Sequence, residues 1–259
     1  MDPSQCASVY AKLSKRNQFL RGKDLLESFL HFPADAKLKI LDIGCGTGDL
    51  ALLLAEKYTN PTIHGCDPSE ERIAHARQNN SSPRITYFVD DVISFLSGKS
   101  DEYDVIYSSA VIHWIGDKKS VFAVIKKSLK PDGISFHWMI YLDLDTSPYV
   151  HFLHPGEIET FKESMPCVTE EELKILVSNS GMMVYFVDST EVSYKDYLLD
   201  ECLERLDSLK DLIGVSLKQR FDQHPDKQFL REKFKVTEDG HVGYSRTVIR
   251  IAMRKRILR

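Results

Sequence analysis

Short apolar segments alternate with segments of helical spacing over the first half of the chain, and no other feature limits the fold as strongly. The short segments are rich in β-branched or aromatic residues, which is typical of buried strands. Strands that alternate with helices in this way form a parallel sheet with helices on both faces. The five predicted strands are Lys37–Gly44, Thr62–Asp67, Ile85–Asp91, Tyr103–Ala110 and Gly133–Tyr141.

Helical spacing of apolar residues occupies the gaps between these strands. It covers Leu50–Tyr58, Ser69–Asn79 and Lys119–Leu129. The sequence KPDG that follows predicts a turn between the last of these helices and the fifth strand. A further amphipathic helix, within Val9–Leu30, precedes the first strand, and we expect it to form a lid over the sheet.

The pattern changes after the fifth strand. Residues 142–166 contain three prolines and no regular spacing, which predicts an irregular connecting segment or lid over the carboxyl edge of the sheet. Thr169 and Glu172 have the spacing of a capping box, so a helix is predicted to begin there. Gly181 predicts where that helix ends.

The remaining sequence completes the predicted fold. Alternation over Met183–Val192 and Tyr244–Lys255 predicts two further strands, and a helical insertion from Lys195 to about Glu232 separates them. The prediction is a doubly wound α/β fold with a mostly parallel, seven-stranded sheet. We expect a single domain over 1–259 with three parts: an N-terminal helical cap at 1–36, a core at 37–141 and a substrate-side segment at 142–259.

Composition and charge disfavour several classes of protein. A chain of 259 residues that is 42% hydrophobic buries a substantial core. Its net charge of -4 offers no global field that would attract nucleic acid, which makes such a partner improbable. Five cysteines without a CxxC pair argue against a disulfide framework or a zinc knuckle. The polar start of the chain and the absence of a run of about 18 apolar residues predict a soluble, cytoplasmic protein.

A glycine-rich turn, LDIGCGTGDL at 41–50, follows the first strand. Glycines at this position let a ligand lie against bare backbone at the carboxyl edge of the sheet. The spacing of Gly44, Gly46 and Gly48 is not that of a dinucleotide site, because Asp49 stands where the third glycine would be needed. A carboxylate there would also repel a pyrophosphate. The turn therefore favours a ligand without phosphate, such as S-adenosylmethionine.

Four motifs in the correct order make the chain resemble the class I S-adenosylmethionine-dependent methyltransferases, which have a Rossmann-like fold. LDIGCGTG resembles the first motif of that family, and Asp67 ends the second strand as the family pattern requires. The pair Asp91 and Val92 follows the third strand, and YSSAVIHW resembles the motif after the fourth strand. The resemblance implies a methyltransferase whose cofactor is S-adenosylmethionine.

The resemblance also implies a role for each matched residue. It implies that Gly44, Cys45 and Gly46 face the methionine part of the cofactor, with Asp42 beneath them. It implies that Asp67 binds the ribose and that the adjoining Pro68 also contacts the cofactor. It further implies that Asp91 with Val92 contacts the adenine and that Ser109 flanks the methyl donor. Simpler roles stay open for some of these residues. Asp67 and Asp91 are also suited to cap the helices that follow them, and Cys45 needs only to be small.

Within this family, the chain resembles the carboxyl O-methyltransferases of the trans-aconitate, malonyl-carrier-protein and juvenile hormone acid type. Tyr10, Gln18 and the helix at Leu25–Leu26 have a similar arrangement there, which implies that Tyr10 belongs to the cofactor site. The segment VIHW resembles the HW or QW segment of the same group, which implies that Trp114 lies near the acceptor. The region 142–166 matches none of them.

A carboxylate acceptor suits these residues because it is already ionised and needs no general base. Gln18 and the indole N–H of Trp114 are neutral donors that would orient it. The alternatives are that Gln18 is a surface residue and Trp114 a core aromatic. His113 is the candidate base if the acceptor is instead a phenol or an amine.

Two other classes of function remain open beside the small-molecule methyltransferase. The chain could methylate a protein or RNA, but SSAV stands where amino-group methyltransferases of that kind commonly carry an Asn/Asp-Pro-Pro-Tyr motif. It could also be a non-catalytic binding partner, but the glycines and Asp67 are intact. His151, His154 and Glu157 are potential metal ligands, yet Pro155 is expected to break the helix that would align them, so we predict no metal site.

Overall fold

A seven-stranded sheet organises the part of the chain that the computed structural model describes, residues 18–143, 147–193, 197–207, 210, 214 and 216–255. Its strands are β1 (Lys39–Ile43), β2 (Thr62–Asp67), β3 (Ile85–Val89), β4 (Tyr103–Ser109), β5 (Leu129–Tyr141), β6 (Met182–Ser193) and β7 (Ser245–Lys255). They lie in the order β3-β2-β1-β4-β5-β7-β6. Strands β1 to β5 pair in parallel, which confirms the doubly wound fold expected from the alternating pattern.

Helices follow the parallel strands where helical spacing predicts them, with ends within about two residues of the expected positions. The described helices are α1 (Leu20–Phe29), α2 (Asp49–Lys57), α3 (Glu70–Asn79), α4 (Val92–Leu96), α5 (Lys118–Ser128), α6 (Pro155–Ser164), α7 (Glu170–Asn179), α8 (Leu199–Asp207), α9 (Leu217–Gln223) and α10 (Lys227–Lys233), with 3-10 turns at Ile112–Trp114 and Pro148–His151. No helix of the described ranges combines the length and apolar character that crossing a bilayer requires.

Strand β7 runs antiparallel to both of its neighbours, β5 and β6. Its first residues therefore lie at the carboxyl edge of the parallel strands, where Thr247 pairs with Tyr141. Ligands of open α/β sheets bind outside this edge. The end of β5 and the start of β7 thus lie at the same edge of the sheet as the glycine-rich turn that follows β1.

The N-terminal helix α1 packs closely on this edge. Leu25 and Leu26 are buried in the main apolar core. Gly22 permits the approach, because a Cβ at this position would lie 2.4 Å from Leu50 Cδ1 and 2.8 Å from Ser109 Oγ. Gly22 thus lies against the start of α2 and the end of β4.

Residues 142–166 differ from the expectation of an irregular segment. They contain a 3-10 turn and the regular helix α6. Pro155 does not break a helix there but opens one, because its missing N–H is not needed in the first turn. His154 precedes it as the N-cap, and its backbone N–H donates to Glu157 at 2.8 Å.

One smaller expectation is corrected. The KPDG sequence lies inside β5, because Leu129 already pairs with Tyr103 and a register shift absorbs the extra residues before Ile134 pairs with Val105. The helical insertion expected over 195–232 is confirmed, and its described helices are α8, α9 and α10. The capping box of α7 is confirmed, since Thr169 Oγ1 accepts from the backbone N–H of Glu172 at 3.2 Å.

Candidate active site

The glycine-rich turn is held by the end of strand β2. The backbone N–H groups of Gly44 and Cys45 both donate to the carbonyl of Cys66, at 2.7 and 3.1 Å. Gly44 has a φ of +64°, and a Cβ there would lie 2.4 Å from Val111 Cγ2. At Gly46 a Cβ would meet no heavy atom within 4 Å, so the turn faces open space. This is the room that a ligand lying against the backbone requires.

Asp67 holds the turn from the other side. Its side chain is 3% exposed, and Oδ2 accepts from the backbone N–H of Gly46 at 3.0 Å. Its Oδ1 accepts from the N–H of Ser69 at 2.9 Å. The N-cap of α3 is Ser69, whose Oγ accepts from Arg72 at 3.3 Å. Asp67 is therefore not the cap of that helix, and its carboxylate retains lone pairs for a further donor.

Asp42 lies beneath the turn, in strand β1, and is 2% exposed. Its Oδ2 is buried without a hydrogen-bond partner among the described residues. Burial raises the pKa of this carboxyl to about 8; the nearby Tyr107 hydroxyl offsets part of the rise and the charge of Asp67 adds to it. A positively charged ligand above the turn would favour the ionised carboxylate.

One cavity brings the predicted residues of β1, the turn and β4 together with the N-terminal segment. Trp138 contributes indirectly, because its indole N–H donates to Ser109 Oγ at 2.8 Å. Four of the lining residues were not predicted for the site. Thr47, Asp49 and Leu50 are marked only by their position beside the glycines, and nothing in the sequence marks Phe19. The cavity is lined by Gln18, Phe19, Asp42, Gly44, Cys45, Gly46, Thr47, Asp49, Leu50 and Ser109.

The predicted adenine residues lie at the start of α4. Asp91 is exposed and is the N-cap of this helix, because its Oδ1 accepts from the N–H groups of Ile93 and Ser94 at 2.9 and 3.1 Å. Hydrogen bonds from Ser94 and the backbone lower the pKa of Asp91. Val92 is buried, and Pro68 is exposed beside Asp67. The capping role left open for Asp91 is therefore present, with its second oxygen available to a ligand.

His113 and Trp114 occupy the 3-10 turn after β4. His113 is 1% exposed, and its Nδ1 accepts from the backbone N–H of Ile140 at 3.4 Å. Trp114 is half-buried, packs against the core, and lies 5.1 Å from the His113 ring between centroids. Neither residue is among those that line the cavity at the glycine turn. Tyr10 lies outside the described residues.

Other polar groups are satisfied within the fold. His137 is buried between Ser108 and Ser135, whose hydroxyls lie 2.7 and 2.9 Å from its ring nitrogens, and burial lowers its pKa to about 3. Glu157 accepts from Arg220 Nε at 2.9 Å in addition to the bond that it accepts from the backbone N–H of His154. Within the described ranges, no group of three or more potential ligands is arranged to hold a metal ion.

Comparison with known proteins identifies methyltransferases as similar to this chain. Residues 40–133 match the family described as a methyltransferase domain. A malonyl-[acyl-carrier protein] O-methyltransferase of Acetivibrio thermocellus is 27% identical, over 96% of this chain and 89% of the relative. A trans-aconitate 2-methyltransferase of Delftia acidovorans is 30% identical, over 44% of this chain and 42% of the relative.

A solved structure shares the fold. It is the Haemonchus contortus phosphoethanolamine N-methyltransferase 2 in complex with S-adenosyl-L-methionine, with a TM-score of 0.66 and 18% sequence identity. The match covers 98% of this chain and 57% of that protein. The seven-stranded sheet, the glycine turn and the match of residues 40–133 to a methyltransferase domain lead to one conclusion: the chain is a methyltransferase that uses S-adenosylmethionine as its cofactor.

Proposed function

We propose that this methyltransferase transfers the methyl group to a carboxylate oxygen of a small organic acid. The observation that carries the proposal is the position of Gln18 in the same cavity wall as the glycine turn and Ser109. A neutral amide orients a carboxylate without pairing with its charge, so the oxygen stays nucleophilic. The two relatives described above carry names of carboxyl methyltransferases, which adds support.

We further propose how the chain holds its cofactor. Gly44, Cys45 and Gly46 offer bare backbone to the methionine part, and the buried, unpartnered oxygen of Asp42 suits the positive charge of the ligand. Asp67 is proposed to accept from the ribose hydroxyls while it keeps its bond to the turn. The remaining proposed contacts to the cofactor are Tyr10, Pro68, Asp91, Val92 and Ser109.

The chemistry requires little beyond orientation. Bound S-adenosylmethionine supplies an electrophilic methyl group on a positively charged sulfur. An ionised carboxylate has no proton to remove, so the residues of this chain need only to align it and exclude water. In the proposal Gln18 and Trp114 orient the acid. His113 fits a base less well, since one of its ring nitrogens already accepts from the backbone.

The proposal includes the organisation and location of the chain. We propose one methyltransferase domain over 1–259, with the helical cap at 1–36, the cofactor core at 37–141 and the substrate side at 142–259. A cytoplasmic location agrees with the free thiols of the four described cysteines.

The test is a transfer assay with methyl-labelled S-adenosylmethionine. The acceptors are mono-, di- and tricarboxylic acids and a malonyl thioester, with phenols, amines, a peptide and RNA as the competing classes. Methyl esters are distinguished from N-methyl and aryl ether products because mild alkali releases their label as methanol. Alkali-labile product from an acid alone is the expected result. Stable product from a phenol, an amine or RNA would refute the carboxylate proposal and leave the methyltransferase activity in place.

A further inference from the structure

Lys118, the first residue of α5, is buried in an unusual way. Only 4% of the surface of this residue is exposed to solvent. Lysine is almost never fully buried unless its ammonium group has partners, because removing the charge from water is unfavourable. Burial accordingly lowers the pKa of Lys118, and the nearby Cys167 offsets part of this effect. A lysine retained in such a place must make contacts that an apolar side chain cannot.

Those contacts join two segments that are distant in sequence. Lys118 Nζ donates to the carbonyl of Ile115 at 2.7 Å and to the carbonyl of Pro166 at 2.5 Å. Ile115 directly follows the 3-10 turn that carries His113 and Trp114. Pro166 lies two residues beyond the end of α6, on the substrate side of the molecule.

A second hydrogen bond holds the segment that contains Pro166. Cys167, next to Pro166, donates from Sγ to the carbonyl of Ile140 at 3.4 Å. The backbone N–H of Ile140 donates in turn to His113. Lys118 takes part in none of the salt bridges between described residues, and its ammonium group donates instead to the two backbone carbonyls. A charged donor to two carbonyls fixes geometry, because each bond depends on where the backbone lies.

We propose that Lys118 is a positioning residue for the acceptor side of the active site, where it ties the turn of Trp114 to the segment that ends at Pro166. The inference rests on the proposed function in one respect, namely that Trp114 meets the acceptor. Loss of the ammonium releases the turn, and the indole then leaves the orientation that the acid requires. The cofactor site on β1 and β2 keeps its own contacts and stays unchanged.

The test combines spectroscopy with kinetics. The chain has two tryptophans, so the variant Trp138→Phe leaves Trp114 as the sole indole emitter. In that background Lys118→Met is compared with Lys119→Met, which removes an exposed lysine from the next position of the same helix. The emission maximum and the acrylamide quenching of Trp114 are recorded without any acceptor. Kinetics with the acid identified in the transfer assay use the native tryptophans.

Lys118→Met should shift Trp114 emission to longer wavelength and increase its quenching. It should also lower kcat/KM for the acid about 10- to 100-fold, the range for loss of one or two charged hydrogen bonds. The Kd for S-adenosylhomocysteine should stay within about twofold, and Lys119→Met should match the parent protein in every measurement. Lys118→Arg, which retains a cation and several donors, should recover part of the loss.

Other outcomes overturn the inference. Native emission and native kcat/KM in Lys118→Met, with only a lower melting temperature, would make Lys118 a stability residue. An equal loss of cofactor affinity would mean general unfolding of the site. If Lys118→Met does not fold, Lys118→Arg decides, because native emission and kcat/KM there would contradict a fixed two-carbonyl geometry. Altered emission with a harmless Trp114→Phe would instead refute the role of Trp114 in the proposed function.

Discussion

The proposed cofactor side and the proposed acceptor side of this molecule differ in the contacts that hold them together. On the proposed cofactor side, backbone groups at the ends of adjacent parallel strands meet, as where Cys66 accepts from the glycine turn, and the Asp67 side chain adds one bond to Gly46. On the acceptor side, side chains join distant segments, as in the pairs Arg220 with Glu157 and Arg246 with Tyr149. A site built from backbone suits one invariant cofactor. A site built from side chains can change with the acceptor while the sheet stays the same.

A change in the backbone of the glycine turn should weaken cofactor binding more than any change of a side chain. Gly44→Ala introduces a Cβ 2.4 Å from Val111 Cγ2 at a φ of +64°. Left-handed backbone costs about 1–2 kcal/mol for a non-glycine residue and overpacking about 1–3 kcal/mol more. We expect calorimetry to show cofactor affinity reduced by about 3 kcal/mol or more.

A matched control separates backbone strain from the site. Gly98 also has a positive φ, +81°, but a Cβ there would meet nothing within 4 Å. Gly98→Ala should lower stability by about 1 kcal/mol and leave cofactor affinity unchanged. If Gly44→Ala binds the cofactor as well as Gly98→Ala does, the turn is not the cofactor site.

Asp67 tests the second support of the same turn. Asp67→Ala removes the carboxylate that accepts a hydrogen bond from the backbone N–H of Gly46. In our proposal the same carboxylate also accepts from the ribose hydroxyls. We expect cofactor affinity to weaken by about 1.5–3 kcal/mol, the range for hydrogen bonds to a charged group. Asp226→Ala is the comparison: it also removes an aspartate, the N-cap of α10, and should lower stability by about 1 kcal/mol without weakening cofactor binding. Unchanged affinity in Asp67→Ala would refute its ribose role.

On the acceptor side the corresponding change is Trp114→Phe, which keeps an aromatic ring and removes the indole N–H. If this N–H orients the acid, the rate should fall by an amount worth about 1–3 kcal/mol while cofactor affinity stays the same. His113→Asn, which offers an oxygen to the N–H of Ile140, should affect the rate much less. A rate that instead depends on His113 and rises through a pKa near neutrality would indicate a base-assisted phenol or amine acceptor.

The two sides also differ in how far their sequences predict them. The parallel strands and the glycine turn follow from patterns of residues close in sequence, and the structure confirms the strands, the turn and the helix that follows. The cap of α3 is Ser69 and not Asp67, which the sequence had offered for that role. The segment 142–166 was predicted to be irregular because it contains three prolines and no regular spacing, yet one of these prolines, Pro155, begins α6. Proline is compatible with either outcome, and only its neighbours in space decide between them.

The sequence did not predict individual contacts between residues that are far apart in the chain. The bond of Lys118 to Pro166 joins residues 48 positions apart, and nothing in the surrounding sequence marks a lysine that will be buried. Gln18 and Ser109 were both predicted for the site, although the cavity they share arises only when α1 packs on β4 through Gly22. The roles proposed for these residues stay predictions.

Asp42 provides the smallest expected effect and the most direct link between stability and the cofactor side. The pKa of this carboxyl is about 8 in the folded protein, above its ordinary value near 3.8. Between these two values the folded state keeps a proton that the unfolded state releases, so stability falls as pH rises. The slope is about 1.4 kcal/mol for each pH unit in this window.

Asp42→Asn cannot ionise and should lose this slope. Between pH 6 and pH 7, urea unfolding without cofactor should show the native protein losing about 1.4 kcal/mol more than the variant. Saturating S-adenosylmethionine should reduce the difference, because a cation above the turn stabilises the ionised carboxylate and brings the pKa back toward its ordinary value. Equal slopes for both proteins without cofactor would show that Asp42 is ionised at neutral pH. If the cofactor leaves the slope unchanged, the positive charge of the ligand lies away from Asp42. The methionine end of the site would then also lie away from Asp42.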